Sequence, residues 1–400
     1  MTICIAGKNE IAINTMLFIK ERYPNINVIG IANAADKGVN AYFRSFKWFL
    51  NFSDIPEVAL DDIYEMENLV FISLEFDKLI LPHKFLSKKL FNIHFSLLPA
   101  YKGMYTSAWP ILNGEEYSGV SLHEINRGID TGDIIEQVKF KLDLSETVQT
   151  LYKKYMEFGT TLIKKQLQSL IDNSYYKFPQ PSIGSTYYSK KSINYQNLSI
   201  KLNVTASQLD AQIRAFTYRE YQILSILGHK ISRSYITNKQ SNLPAGKIIS
   251  EDEESMKIST IDFDVILYKD KFEEFINACE RNDLKAVKRL FHHANLEEKT
   301  NEGWTPLIVA CYNNSFETAA YLLTQGADVD ASNYKGTSVI MYAKNAVLNT
   351  GNFNILKLVL SYNPNIFNKD FHNKDIFEYL KDQSIGVAEY IKNYKHDKIS

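Results

Sequence analysis

The sequence has few cysteines and no long apolar run, which excludes several classes of protein. Only three of its 400 residues are cysteine, Cys4, Cys279 and Cys311, and no two of them form a CxxC pair. A disulfide framework is therefore excluded, and the thiols are expected to be buried in a reducing compartment. No apolar run approaches the roughly 20 residues that a membrane span needs, and the chain becomes charged too early for a signal peptide. These absences predict a cytoplasmic protein that does not bind a membrane.

Neither sign of charge is in excess. The chain has 45 Lys and Arg against 46 Asp and Glu, which leaves a formal net charge of −1. Nucleic-acid-binding proteins usually have a basic excess, so this balance argues against a nucleic-acid partner. Hydrophobic residues make up 45% of the chain, while glycine and proline number only 17 and 10. This composition supports sizeable cores, and the length predicts two or three domains.

Residues 1–180 alternate apolar, strand-like runs with helical segments. The predicted strands are TICIAG, NVIGIAN, LVFISLEF, LFNIHFSLLP, GVSLHEI and DIIEQVKFKL. The predicted helices are IAINTMLFIKERY with Asn9 as its cap, EVALDDIYEMENL, TSAWPILNG, and a long amphipathic helix that Ser145 opens. Strands separated by helices predict an α/β domain with a Rossmann-like, largely parallel sheet that is covered on both faces.

The remainder of the chain changes character twice. Residues 181–266 contain a helical stretch, TASQLDAQIRAFTYREYQ, and several short strands, which predicts a small α+β domain. In residues 267–400, EGWTPLIVACYNNSFETAAYLLTQGADVD has the turn, two short helices and closing loop of a repeat of roughly 33 residues. Asn363 replaces Gly326 in the next copy, where Asn tolerates left-handed backbone. This segment resembles ankyrin repeats, which implies an all-α domain that serves as a dimer support, as a docking surface for a protein partner, or as a site for a further ligand.

One segment, NIHFSLLPAYKG, combines residues suited to acid–base chemistry. Asn92 and His94 lie two residues apart at the predicted end of a strand, so both side chains are expected on one face. The amide can donate to an oxyanion and the imidazole can act as a general base, although an isolated pair of this kind more often satisfies strand-end backbone groups. Asp130 follows in the Gly-flanked loop GIDTGD. Such loops gather at the carboxyl ends of parallel strands, so Asp130 is expected to orient the imidazole.

The two motifs together, NIHFSLLPAYKG followed by LHEINRGIDTGDII, resemble the signature of formyltransferases that use N10-formyltetrahydrofolate. The resemblance covers about residues 1–180 and implies the formyltransferase fold there. It also implies that the substrate amine attacks the formyl carbon and that Asn92 stabilises the resulting oxyanion. His94 would take the amine proton, helped by Asp130. No metal is implied, and the sequence has no HxxxH motif or Cys/His cluster to hold one.

The same resemblance implies where the folate would bind. It would lie along the segment FDKLI and the loop that leads to the Asp-Thr-Gly motif. Backbone groups would pair with the pterin while apolar side chains cover its faces. The implied cofactor contacts are Phe76, Lys78, Ile80, Ile125 and Gly128. Core packing is an equally good interpretation of Phe76 and Ile80.

The implied substrate contacts are Gly7, Lys8, Asn9 and Tyr105. The Gly-Lys-Asn turn stands at a predicted helix N-terminus, where an anionic phosphate group would be stabilised. The alternative is an ordinary strand-to-helix turn that Asn9 caps. Tyr105 either touches the sugar or packs, and His123 is better explained as a packing and hydrogen-bonding residue than as part of the site.

Three further segments bear on the substrate: YKGMYTSAWPILNGEEYSGVSLHEI, GSTYYSKKSINY and IRAFTYREYQ. They are similar to dTDP-amino-sugar N-formyltransferases, which implies a homodimer that formylates a dTDP-linked amino-dideoxyhexose for surface polysaccharide (O-antigen) synthesis. The preferred acceptor is dTDP-3-amino-3,6-dideoxyglucose, and dTDP-4-amino-4,6-dideoxyglucose is the first alternative. The others are a methionyl-tRNA formyltransferase and a catalytically dead ankyrin adaptor. The 10 Lys and Arg against 8 Asp and Glu in residues 181–266 argue against tRNA, and the intact Asn, His and Asp set argues against the adaptor.

Overall fold

The computed structural model describes residues 1–291 and 296–399, and their side chains as far as residue 394. The chain divides into two compact units, each with a hydrophobic cluster of its own. The first unit comprises Met1–Val39 and Phe43–Tyr268, and the second comprises Asn40–Tyr42 and the chain from Lys269 onward. All three cysteine thiols are buried. The finer division into three domains, with boundaries at residues 180 and 266, stays a prediction.

A mixed sheet forms the centre of the first unit. The strands of this part are β1 (Thr2–Gly7), β2 (Asn27–Ala32), β3 (Leu69–Leu74), β4 (Lys89–His94), β5 (Lys102–Gly103), β6 (Tyr117–Glu124), β7 (Ile134–Lys141) and β8 (Tyr187–Tyr188). Six of them form one sheet in the order β2-β1-β3-β4-β6-β7, and β5 pairs with β8. The neighbours from β2 to β4 are parallel, whereas β6 and β7 are antiparallel. The prediction of a Rossmann-like, largely parallel sheet is confirmed.

Both faces of the parallel part of this sheet are buried, because the side chains of β1 to β4 alternate between two apolar clusters. On β1, Ile3 and Ile5 belong to one cluster, while Cys4 and Ala6 belong to the other. The α-helices of the first unit are α1 (Asn9–Arg22), α2 (Phe46–Phe52), α3 (Trp109–Leu112), α4 (Val148–Asp172) and α5 (Ala206–Phe216).

Two helix predictions were wrong between β2 and β8. The segment EVALDDIYEMENL forms only the 3-10 turn Leu60–Ile63, and its apolar side chains reach the core without a full helix. Helix α2 lies earlier in the chain, where the Ser45 hydroxyl accepts the Trp48 N–H as an N-cap. The long helix α4 begins after Thr147 rather than Ser145, since the Thr147 hydroxyl accepts the Thr150 N–H. A short apolar periodicity therefore did not distinguish a helix from a single turn.

The small α+β part packs α5 against a second sheet, as predicted, but the predicted helix was too long, since α5 ends at Phe216 and TYREYQ forms a turn. Its strands are β9 (Leu224–Ile226), β10 (His229–Ile236), β11 (Ile248–Glu251), β12 (Ser255–Ile258) and β13 (Val265–Lys269). They lie in the order β11-β12-β13-β10-β9. Strand β9 was not predicted, since its three residues are too few to give a periodic pattern.

The second unit is helical, as predicted. Its helices are α6 (Phe272–Glu280), α7 (Leu284–Leu290), α8 (Pro306–Tyr312), α9 (Phe316–Thr324), α10 (Val339–Thr350), α11 (Asn354–Ser361), α12 (Ile376–Leu380) and α13 (Ile385–Ile399). Gly326 and Asn363 both have positive φ, at 92° and 56°, so the exchange of Gly for Asn follows the backbone as expected. In the described parts of the chain, no helix has the length and apolar character to cross a bilayer.

Candidate active site

Strand β4 presents two polar side chains at its carboxyl end. The strand ends at His94, and Asn92 lies two residues earlier, so both side chains are on one face of the sheet. His94 is buried, and Asn92 is partly buried. This is the arrangement that the sequence predicted.

The carboxylate of Asp130 lies against this pair. Its Oδ2 atom is 3.5 Å from His94 Nδ1, and its Oδ1 atom is 3.7 Å from His123 Nε2. Oδ2 also accepts the Gly103 N–H at 2.9 Å. Asn92, His94 and Asp130 thus belong to one cluster, which is completed by His123.

Asp130 reaches the cluster by a different route from the one expected. Strand β6 runs antiparallel to β4, and the N–H of Ile125 donates to the Leu90 carbonyl at 2.8 Å. The loop after β6 therefore leaves beside the first half of β4, and it must fold back for Asp130 to contact His94. The expectation that this loop sits at a shared carboxyl edge of parallel strands was wrong, because pairing direction is a non-local property.

His123 connects Asn92 to Asp130. Its Nδ1 lies 2.7 Å from the Glu124 carbonyl, which can only accept, so Nδ1 carries the proton. Nε2 then accepts the Asn92 Nδ2–H at 3.0 Å. Burial lowers the pKa of His123 well below its ordinary value, although the nearby Asp130 charge opposes this shift. The ring is neutral, and it fixes which way the Asn92 amide points.

The sequence reasoning did not place His123 in the site. The signal that could have found it is register, since His123 stands directly opposite Asn92 on the neighbouring strand. Cross-strand partners of this kind have adjacent side chains on one face of the sheet. Register could be used only once β6 was known to pair with β4.

The two nitrogens of His94 have distinct surroundings. Nε2 is 2.8 Å from the Tyr101 carbonyl oxygen, so it carries a proton that it donates. Nδ1 is therefore the nitrogen left to accept another proton, and it faces the Asp130 carboxylate. A proton taken by Nδ1 would be stabilised by that negative charge.

Two glycines allow the loops around Asp130 to approach each other. A Cβ atom at Gly103 would lie 2.3 Å from the Tyr188 carbonyl oxygen, and Gly103 has a φ of 89°. A Cβ atom at Gly132 would lie 1.8 Å from the Glu124 carbonyl oxygen. Both distances are far below van der Waals contact, so any side chain would push these loops apart.

The residues predicted to bind the folate fall into two groups. Phe76, Ile80 and Ile125 pack in the apolar cluster on one face of the sheet, with Ile80 buried. Lys78 and Gly128 are exposed. The packing interpretation of Phe76 and Ile80 describes the contacts they make, and a role for all five residues in folate binding stays a prediction.

The Gly7–Lys8–Asn9 turn joins β1 to α1, but Asn9 does not cap the helix. Asn9 has a φ of 59°, and its Nδ2 donates to Tyr152 Oη at 2.8 Å and to Glu75 Oε2 at 3.4 Å. The N-cap residue is Lys8, whose side chain makes no capping bond. The expectation of an Asn9 cap was therefore wrong, because the amide bonds to tertiary partners instead.

A partly buried carboxyl group supports this turn. Tyr152 donates its hydroxyl to Glu75, and burial raises the pKa of Glu75. The burial effect exceeds the opposing influence of the Lys8 charge. A role for Gly7, Lys8 and Asn9 in substrate binding stays a prediction.

Tyr105 lies two residues after Gly103. Its hydroxyl donates to the Lys190 carbonyl at 3.1 Å, and its ring meets Tyr195 edge-on at 5.0 Å. These contacts are those of a packed side chain, and contact with a sugar stays a prediction. Within residues 1–291 and 296–394, no group of three or more His, Cys, Asp and Glu side chains is arranged to hold a metal ion.

Comparison with known proteins identifies the family. Residues 30–167 match the formyl transferase family, and residues 275–370 match ankyrin repeats in three copies. A methionyl-tRNA formyltransferase of Clostridium tetani is 30% identical over 230 residues, which are 54% of this chain and 73% of the relative.

Two solved structures are more similar. WlaRD, a sugar 3N-formyl transferase in the presence of dTDP and 5-N-formyl-THF, is 42% identical with a TM-score of 0.63, over 67% of this chain and 97% of WlaRD. The N-formyltransferase from Helicobacter canadensis, in complex with folinic acid and dTDP-3-aminofucose, has the same identity and TM-score over 67% of this chain and 98% of its own. The chain therefore belongs to the formyltransferase family, and it is a formyl-transferring enzyme with an ankyrin-repeat region.

Proposed function

We propose that this enzyme transfers a formyl group from N10-formyltetrahydrofolate to the amine of a dTDP-linked amino-dideoxyhexose. The observation that most supports this proposal is the 42% identity to WlaRD and to the H. canadensis enzyme, over 97% and 98% of their chains. Both were crystallised with a formyl-folate and with dTDP or a dTDP-3-amino sugar. The proposed acceptor is dTDP-3-amino-3,6-dideoxyglucose. Its product would serve O-antigen synthesis, and the enzyme would act in the cytoplasm as a homodimer.

The polar cluster supports this chemistry. One Nδ2 hydrogen of Asn92 is directed to His123, which leaves the other for the oxyanion that forms when an amine attacks the formyl carbon. His94 takes the amine proton at Nδ1, and Asp130 stabilises the resulting charge. A positioned general base contributes roughly 10²–10⁴ in rate, and one oxyanion donor contributes roughly 10²–10³.

Two exposed apolar side chains on the segments proposed to hold the folate are available to cover a flat ring. Leu79 and Ile129 are 61% and 44% exposed, and Ile129 directly precedes Asp130. Such side chains lose contact with water when a ring covers them. When bound, N10-formyltetrahydrofolate supplies the activated formyl carbon. The residues proposed to hold it are Phe76, Lys78, Ile80, Ile125 and Gly128.

A second candidate is formylation of methionyl-tRNA, which the 30% identity to the C. tetani enzyme favours. That identity is lower than the 42% to the two sugar-related structures, and the tRNA enzyme is covered over less of its length. The near-neutral net charge of −1 also argues against a polyanionic substrate. We therefore place this candidate second.

The test is a mass-detected formylation assay with N10-formyltetrahydrofolate as donor. The acceptors are dTDP-3-amino-3,6-dideoxyglucose, dTDP-4-amino-4,6-dideoxyglucose and methionyl-tRNA, each with Asp130→Asn protein as the control. We expect the 3-amino sugar to gain one formyl group with the wild-type enzyme. Formylation of the 4-amino sugar alone would contradict the proposed acceptor, and formylation of the tRNA alone would overturn the proposed function in favour of the second candidate.

A further inference from the structure

One segment after α4 contacts both loops that meet at Asp130. We call this segment, residues 178–188, the strap. Near its start, Gln180 Nε2 donates to the carbonyl oxygens of Asp130 and Gly132, each at 2.8 Å. Near its end, Thr186 Oγ1 accepts the Tyr101 N–H at 2.7 Å, and the last two residues pair as β8 with β5. The strap therefore fixes the Asp130 loop and the Gly103 strand relative to each other.

The amide of Gln180 can point in only one direction. Both contacts are carbonyl oxygens, so the atom facing them must be the nitrogen. Its Oε1 atom is buried and has no partner among the residues that the structure describes. A side chain without two N–H donors could not replace these bonds.

Asp130 needs support of this kind from outside its own loop. It has a φ of 52°, a left-handed conformation that residues other than glycine seldom adopt. Such conformations persist when the surroundings over-determine them. Gln180 holds the backbone of Asp130 through the bond to its carbonyl oxygen. The Gly103 N–H holds the side chain of Asp130 through the bond to its carboxylate.

We infer that Gln180 is a positioning residue for formyl transfer, which holds the Asp130 carboxylate against His94 Nδ1. The inference rests on the proposed function, because it requires Asp130 to act on His94. Gln180 acts only through Asp130, and it does not touch the reacting atoms. A displacement of about 1 Å in such a group can lower the rate by about 10²-fold.

The test begins with Gln180→Met, which keeps the length of the side chain and removes both N–H donors. The matched control is Gln212→Met, because Gln212 Nε2 also donates to two carbonyl oxygens, those of Lys201 and Gln208, on and beside α5. We expect Gln180→Met to lower kcat by about tenfold to 10²-fold while KM changes less than about threefold. The control is expected to keep kcat within about twofold. A rise in KM at unchanged kcat would overturn the inference.

A double-mutant comparison separates positioning from a general loss of structure. In an Asp130→Asn background, Gln180→Met should lower kcat by less than about a further twofold, because the charge that it positions is already absent. A further large loss in that background would overturn the inference, since Gln180 would then act by another route.

Hydrogen exchange at the Gly103 N–H gives a readout besides activity, because this group donates to Asp130 Oδ2. We expect its exchange to become about tenfold faster in Gln180→Met and unchanged in Gln212→Met. One outcome would overturn the inference and leave the proposed function intact: Gln180→Met keeps the wild-type exchange rate and the wild-type kcat, while Asp130→Asn is inactive. Another outcome would overturn the proposed role of Asp130, and the inference with it: exchange is faster in Gln180→Met, but both Gln180→Met and Asp130→Asn keep the wild-type kcat.

Discussion

The two ring nitrogens of His94 differ, since Nε2 donates to the Tyr101 carbonyl while Nδ1 is left to accept a proton and lies 3.5 Å from the Asp130 carboxylate. We predict that His94→Asn lowers kcat by roughly 10²–10⁴, the contribution of a positioned general base. The measurement is steady-state formylation of the acceptor identified by the mass assay. His229→Asn is the control, since His229 is a more exposed histidine on β10, whose Nε2 lies 2.9 Å from Glu251 Oε1. Turnover within a few-fold of wild type in His94→Asn would contradict the role.

His123 makes the stability of the protein depend on pH. Burial lowers its pKa in the folded state below the ordinary value of about 6.5. As the pH falls, the unfolded chain therefore binds a proton at this histidine before the folded protein does. The free energy of unfolding is unaffected by His123 above the ordinary pKa of about 6.5, and it decreases as the pH drops below that pKa. One such group changes the free energy of unfolding by at most about 1.4 kcal/mol per pH unit.

We predict that His123→Gln removes this component. Urea unfolding at pH 7 and pH 5 should show a loss of stability on acidification that is smaller in His123→Gln than in wild type, by about 1–2 kcal/mol. The quantity to compare is the loss of stability between pH 7 and pH 5. The stability at either single pH is less informative, because the substitution also changes the bond to Asn92. Parallel losses in the two proteins would mean that His123 is not buried in its neutral form.

Asn363 tests the left-handed position in the repeat, where Gly326 stands in the preceding copy. We predict that Asn363→Val lowers the free energy of unfolding of the ankyrin region by about 1–2 kcal/mol, since a β-branched residue is strained at positive φ. Asn363→Gly should cost less than about 1 kcal/mol. Thermal unfolding of the three proteins checks this order, and equal stability of the two variants would contradict it.

At the scale of elements, the start of α4 illustrates how a cap is chosen. Ser145 and Thr147 are both suitable N-cap residues, but the Thr147 hydroxyl makes the bond, to the Thr150 N–H. We predict that Thr147→Ala costs about 0.5–2 kcal/mol of stability. Ser145→Ala, on an exposed residue two positions earlier, should cost close to nothing. Chemical denaturation of both variants tests the assignment, and a greater loss for Ser145→Ala would reverse it.

The elements of the central sheet could be predicted from sequence because each is a compact apolar run between turn residues. The pairing of these strands could not, since nothing local in β6 indicates that it lies antiparallel to β4. This is why Asn92 and His94 could be placed on one face, whereas His123 was missed and the path of Asp130 was wrong. The cap of α1 failed for a related reason, because Asn9 bonds to Glu75 and Tyr152, which are remote in sequence.

At the scale of the whole molecule, the formyltransferase part and the ankyrin part have separate hydrophobic clusters. The two structures at 42% identity are matched almost completely by 67% of this chain. We predict that a chain ending at Tyr268 folds and keeps kcat within about tenfold of the full-length enzyme. Circular dichroism and the mass assay test this together. A folded but inactive product would show that the ankyrin region is needed for turnover.

The strap has a consequence for exchanging parts between relatives. The match to the formyl transferase family ends at residue 167, but Gln180 holds Asp130 from beyond that point. A chimera joined at residue 167 would take its aspartate loop from one parent and the amide that supports it from the other. Joined after residue 188, the hybrid would inherit both from the same parent. The smallest interchangeable module of this enzyme is therefore larger than the segment that matches the formyl transferase family.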